Sequence, residues 1–191
     1  MMPFAAALLL LCLAMPAAAE AIQHETRTFT GTSETANGQD NQSWRAWFDV
    51  PIEQAAARMT DWSRAKDFLD KATGFELQAN AARSARFVIE REGPFFTTQR
   101  VLFEATATQN GPRTVVRWVQ IEGPAKSIER TWVLTPVAGG TLFEHETRVV
   151  LPFAPPAALL ELREAPAKVL ARQVEMIRQE VGARVSKSTP P

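Results

Sequence analysis

The stretch SIERTWVLTPVAGGTLFEHETRVVLPFAPP, residues 127–156, decides how the rest of the chain is read. It reads as two long strands joined at Gly139-Gly140, where glycine accepts the positive φ of a tight turn. In the second strand Phe143, His145, Thr147 and Val149 alternate with Glu144, Glu146 and Arg148, so one face is covered and the other wet. In the first, Arg130 and Trp132 stand two residues apart and share a side. Pro155-Pro156 then ends the second strand, because proline cannot continue a ladder.

Beyond that corner Leu159, Leu162, Pro166, Leu170, Val174, Ile177, Val181 and Val185 recur at helical spacing. Arg163, Lys168, Arg172, Glu175 and Arg178 largely occupy the other side. Proline breaks a helix interior but suits its first turn, which predicts a short turn or helix over 156–164 and a main helix starting near Pro166. Residues 187–191 read as a disordered tail.

Upstream, a period of two begins at Phe75 and is punctuated by Glu92-Gly93-Pro94, Asn110-Gly111-Pro112 and Glu122-Gly123-Pro124. Strands are expected over 75–80, 85–91, 96–108, 114–121, 126–136 and 141–153. With the alternating segment 43–50 that makes about seven, in an antiparallel meander. Phe87 and Ile89 share a face, as do Val101, Phe103 and Ala105. Segment 115–121 is apolar on both sides, so alternation assigns no face to Arg117 or Trp118. Between the strand at 43–50 and Phe75 two short helices are expected, over 52–59 and 63–71, with Gly74 closing the second. Residues 20–42 are polar and read either as a flexible lead-in or as an edge hairpin.

Residues 1–19, MMPFAAALLLLCLAMPAAA, carry no charged side chain and end in a small-residue cleavage pattern, Ala17-x-Ala19. This predicts a secretory signal peptide cut after Ala19, and an exported protein, periplasmic or secreted. The apolar run is too short for a membrane anchor, and the bulky Leu11 before Cys12 speaks against lipoprotein processing. Cys12 is the only cysteine, so cleavage would leave no disulfide or thiol chemistry. Lys and Arg number 21 against 21 Asp and Glu. That balance gives no electrostatic footprint for nucleic acid. Five Trp and 11 Phe with no Tyr supply a core or a ligand cavity equally well.

The order of strand, two short helices, long meander and C-terminal helix resembles the helix-grip fold of the START/Bet v 1-like (SRPBCC) superfamily. Its polyketide cyclase/dehydrase-like and coenzyme Q-binding branches are the most similar. The resemblance rests on FDVPIEQAAARMTDWSRAKDFL (48–69), RTWVLTPVAGGTLFEHETRVVLPFAPP (130–156) and the final helix. Val50-Pro51-Ile52-Glu53, Asp61-Trp62 and the hairpin from Trp132 through Pro136 to Gly140-Thr141 match motifs common in the family. It covers roughly residues 43–186. It implies an α+β fold, a curved antiparallel sheet around a long C-terminal helix, with an apolar cavity between them. Such cavities hold lipids, quinones or polyketide-like molecules. These motifs mark a fold, and no catalytic residue is carried over from them.

The residues expected to line that cavity are Phe87, Ile89, Val101, Phe103, Trp118, Arg130, Trp132, Phe143, His145, Leu170, Val174 and Ile177. Each has a plainer reading. The aromatics are core residues first. Arg130 is either a contact for a ligand oxygen or a rim residue paired with a Glu. His145 is either a headgroup contact or a satisfied core histidine. Asp61 is a helix cap or turn residue, and Glu144 and Glu146 are solvated. His24 and His145 lie far apart without Cys, so no metal site is expected, nor any cofactor. The expected function is a carrier of an apolar or amphipathic small molecule, loaded by transient membrane contact. A cyclase- or dehydrase-type enzyme is the alternative and would need His145, Arg130 or Arg117 as its polar group. A scaffold binding another exported protein through the wet sheet face is a third reading. The oligomeric state is left open.

Overall fold

The computed structural model describes residues 22–25, 29–69, 72–92, 98–152 and 165–182. In chain order the elements are β1 (Ile22–Glu25), β2 (Phe29–Ala36), β3 (Gln39–Phe48), α1 (Ile52–Met59), a 3₁₀ helix (Trp62–Phe68), β4 (Ala72–Ala81), β5 (Ser84–Glu92), β6 (Thr98–Asn110), β7 (Arg113–Glu122), β8 (Ser127–Val137), β9 (Gly140–Val150) and α2 (Pro166–Val181). The expected signal peptide, the turn at 93–94, the segment 156–164 and the tail lie outside the described residues.

The strands form one sheet in the order β1-β2-β3-β9-β8-β7-β6-β5-β4, every pair antiparallel. Six strands follow one another as a meander from β4 to β9, and β9 then pairs with β3. The fold is α+β, with nine strands among the described residues where alternation predicted about seven. Both additional strands come from the polar segment ahead of residue 37. Asn37 and Gly38 both take positive φ, 51° and 77°, which is the hairpin geometry that lets β2 fold back on β3. Strand β3 accordingly begins at Gln39, four residues ahead of the expected Ser43.

The second short helix is 3₁₀ and ends at Phe68, and β4 starts at Ala72. Gly74 therefore does not close a helix. It lies inside β4 at a register shift, where a Cβ would sit 2.6 Å from the Glu90 carboxylate. Asp61 occupies the N-cap position without a capping hydrogen bond; its carboxylate instead accepts the Ser63 hydroxyl at 2.5 Å.

Helix α2 opens on Pro166 at its first position and closes on Gly182 in the left-handed region, φ 74°. Leu170, Val174, Ile177 and Val181 form its buried stripe. It packs against β2, β3, α1 and the 3₁₀ helix, and the 3₁₀ helix in turn packs against β4. The helical layer thus reaches strands toward both edges of the sheet, β2 and β4, and covers a single face of it. Gly31 of β2 makes the approach possible: a Cβ there would lie 3.1 Å from Leu170 Cδ1 and 2.9 Å from the Ser43 carbonyl. Arg178, placed by periodicity on the polar side of α2, is buried instead. Its guanidinium sits 5.4 Å from the centre of the Phe48 ring and donates to Glu175 at 2.6 Å, which compensates the charge.

Candidate ligand-binding site

Alternation along the strands places Phe87 and Ile89 of β5, Val101, Phe103 and Ala105 of β6, Val116 and Trp118 of β7, Trp132 and Leu134 of β8, and Phe143 and His145 of β9 on one buried face. Aromatic rings run across it from strand to strand. Phe75 meets Phe87 at 5.8 Å, Phe87 meets Trp118 edge-on at 5.0 Å, and Trp118 meets Trp132 at 4.9 Å. Trp132 stacks on His145 at 4.7 Å, and His145 meets Trp44 at 5.2 Å. These offset and edge contacts are favourable geometries for aromatic pairs.

All the residues expected to line the cavity face this interior. All but Arg130 are closed off, at 3% exposure or less. They fall into two groups. Phe143, in ring contact with Phe48 at 4.8 Å, belongs with Leu170, Val174 and Ile177 to the packed end where α2 meets α1 and β3. Phe87, Ile89, Val101, Phe103 and Trp118 belong to the wall made by β5, β6 and β7. Trp132 and His145 join the two groups.

Polar groups collect at one end of that wall. Register places Arg130 opposite Trp118 on one side and Thr147 on the other. Arg91 lies opposite Gln99, two residues beyond Ile89, and donates to Gln99 Oε1 from Nε at 3.3 Å and Nη2 at 3.1 Å. Gln120 donates to the Ala125 carbonyl at 2.7 Å, leaving its own Oε1 buried. Arg91, Gln99, Gln120 and Arg130 are all half-buried, so here the inner face stays within reach of small molecules. Sequence reasoning named Arg130 but missed Arg91, Gln99 and Gln120. The signal was present, because Arg91 continues the alternation of Phe87 and Ile89.

Charge at this end is not balanced among the described residues. The inward positions of β5 to β9 hold no Asp or Glu. Arg130 Nε is buried and lacks a hydrogen-bond partner among the described residues, as do the indole N–H groups of Trp118 and Trp132. Burial, and next the charge of Arg91, hold the Arg130 guanidinium down at about 10, still protonated at neutral pH. Burial lowers Arg91 too.

His145 is different. Its Nδ1 lies 3.1 Å from the Thr131 carbonyl, which only accepts, so Nδ1 carries the proton. Its Nε2 then accepts the Thr147 hydroxyl at 2.8 Å. Burial, then the Arg130 charge, push its pKa down to about 3, against the opposing effect of the Thr131 hydrogen bond. The imidazole is neutral, with both nitrogens engaged. Arg117 points outward, with its Nε 2.7 Å from Glu129. Trp118, its neighbour, points inward and is fully buried.

The outer face carries a shallow polar groove of about 360 Å³ across β2, β3, β8 and β9, lined by Thr32, Glu34, Asn41, Ser43, Glu146 and Arg148 among others. It lies on the side of the sheet opposite the aromatic row.

No protein-family model matches the chain, and no curated protein matches it. Solved structures do. A STAR-related lipid transfer protein from Xanthomonas axonopodis superposes with a TM-score of 0.67 at 9% identity, covering 85% of this chain and 98% of that one. Human StAR-related lipid transfer protein 5 superposes at 0.60, also at 9% identity, covering 87% of each. The Zhui aromatase/cyclase from Streptomyces sp. R1128 superposes at 0.54 with 12% identity, covering 75% of this chain and 91% of that one. The fold is the START-like helix-grip fold.

Proposed function

We propose that this chain, with its START-like fold, is an exported binding protein for an apolar or amphipathic small molecule, of lipid, quinone or polyketide-like character. The ligand would lie between the sheet and the helical layer. One observation carries this reading: the inner face is aromatic and aliphatic along most of its length and ends in an accessible polar cluster at Arg91, Gln99, Gln120 and Arg130. A surface with that polarity gradient complements an amphiphile. Proteins of the same fold that are named for lipid transfer support the reading. The apolar wall is closed to solvent, so a tail reaches Phe87 and Trp118 only when the packing over them opens. A transient membrane contact would supply both the opening and the cargo.

An enzyme of the cyclase or dehydrase type gains no support from the polar groups nominated for it. A general base needs a free lone pair within reach of substrate. His145 has none free, Arg130 stays protonated, and Arg117 faces outward in an ion pair.

Native mass spectrometry on the protein purified from its own compartment tests the proposal. The expected chain starts at Glu20 and carries an added mass that organic extraction removes. A chain that stays bare when offered lipids and quinones would overturn the carrier reading. A chain retaining residues 1–19 in the exported fraction would overturn the cleavage.

A further inference from the structure

We infer that the bound molecule carries an anionic group, a carboxylate or phosphate, and that Arg130 and Arg91 hold it at the polar end of the inner sheet face. This rests on the carrier reading and narrows it to one ligand class.

Three observations point the same way. First, Arg130 and Arg91 both lie on the inner face, half-buried, the charge of Arg91 acts on Arg130, and the inward positions of β5 to β9 offer no carboxylate. Like charges gathered in a half-buried place raise the energy of the empty protein unless an anion joins them. Second, among the described residues the unpartnered polar atoms on the inner face of β5 to β9 are donors in three of four cases, Arg130 Nε, Trp118 Nε1 and Trp132 Nε1 against the single acceptor Gln120 Oε1. A buried donor without a partner is costly, and an acceptor with several lone pairs can serve more than one. A carboxylate or phosphate is such an acceptor, whereas an ammonium group is not. Third, the register sets Arg130 against the aromatic row. Trp118 stands directly opposite Arg130, and Trp132 stacks on His145 one position further in. The orphaned donors therefore belong to residues of the aromatic row and to Arg130 beside it, so one molecule lying along the row can offer them both an apolar body and an anionic group. Gln99 holds Arg91 through two nitrogens of its guanidinium, which leaves Arg91 its remaining N–H groups for the ligand.

The test compares probes sharing one tail: dodecanoate, dodecyl phosphate, dodecanol and dodecylamine, each below its micelle concentration. Sodium acetate and inorganic phosphate are titrated separately. Binding is read by calorimetry and by quenching of tryptophan fluorescence. At least one anionic amphiphile is expected to bind about tenfold or more tighter than dodecanol, the size of one charge-assisted hydrogen bond. Dodecylamine should be the weakest. In Arg130→Gln the anion preference should fall to about threefold or less while dodecanol affinity holds, since a neutral side chain forfeits the charge-assisted part of the contact. Circular dichroism and the thermal midpoint confirm that the variant folds. Arg91→Gln gives a second variant, should the first misfold. Equal binding of dodecanol and dodecanoate, or a preference surviving both substitutions, would overturn the inference and leave the carrier reading standing. Acetate or phosphate binding as tightly as the long-chain probes would overturn it in favour of a plain anion site. Failure of every probe to bind would overturn both readings.

Discussion

Arg130 and His145 are neighbours on adjacent strands, yet burial affects them differently. Arg130 stays charged, and half-burial without a counter-charge among the described residues opposes folding. Arg130→Met should therefore stabilise the unliganded protein, by about 1 kcal/mol, read as a raised denaturant midpoint at unchanged slope. A loss of stability would show that the charge is compensated. His145 is the opposite case, neutral and satisfied. Its folded pKa lies below its unfolded value, so the unfolded chain binds more protons across the interval between them. Its contribution is complete above pH 6.5 and is lost as pH falls toward about 3. Between pH 6.5 and 4.5, above the main range of carboxylate titration, stability should fall with acid by up to about one proton's worth of slope. In His145→Gln that slope should flatten, measured as the unfolding free energy at several pH values. An unchanged slope would place the titration elsewhere.

Three glycines control how elements meet, one through its backbone angle and two through the space they leave. Gly139 takes the positive φ of the β8–β9 turn, 76°, whereas Gly140 does not. Gly140 is constrained by space, because a Cβ there would collide with the backbone of Phe48 and Asp49. Gly140→Ala should destabilise the domain by about 2 kcal/mol or more, since backbone cannot move aside as a side chain can. Gly31 plays the same part for α2. Gly31→Val would push Leu170 off the sheet and should cost about 1–3 kcal/mol by overpacking. Leu170→Ala in the Gly31→Val background should then cost less than Leu170→Ala alone, because the pair shares one space. Both are read from thermal or denaturant unfolding. Strand positions and most faces were legible from alternation. Neither close approach was, because a glycine selected for space looks like one selected for a turn.

Across the whole molecule, the helical layer is tied together by charge as well as by apolar contact. Arg58 of α1 pairs with Asp67 of the 3₁₀ helix at 3.1 Å and with Glu180 of α2, and lies over the Phe68 ring at 4.5 Å. Arg64 reaches the same two carboxylates, at 2.9 and 3.0 Å. A double-mutant cycle on Arg58 and Glu180 should return a coupling of about 1–2 kcal/mol, larger than for an exposed pair because Arg58 is largely buried. A value near zero would leave the layer held by apolar packing alone.

Local pattern by itself determined that the chain is α+β, that a meander precedes a long helix, and that Pro166 starts that helix. Those are short-range properties: period, turn chemistry and proline stereochemistry act within a few residues. Only the tertiary structure decided which of Arg117 and Trp118 turns inward, because β7 is apolar on both sides. It also decided that the polar residues 29–36 extend the sheet, since β2 owes its place to pairing with β3 more than to its own apolar content. Arg178 was brought inside by the Phe48 ring, a partner that helical spacing cannot choose, whereas its charge partner Glu175 lies within that spacing on the same helix. The cluster of Arg91 and Arg130 belongs to the tertiary structure in the same way. Each arginine looks like an ordinary strand residue, and only the folded sheet lets the charge of Arg91 act on Arg130 and leaves the Trp118 and Trp132 indole donors buried without partners on the same inner face.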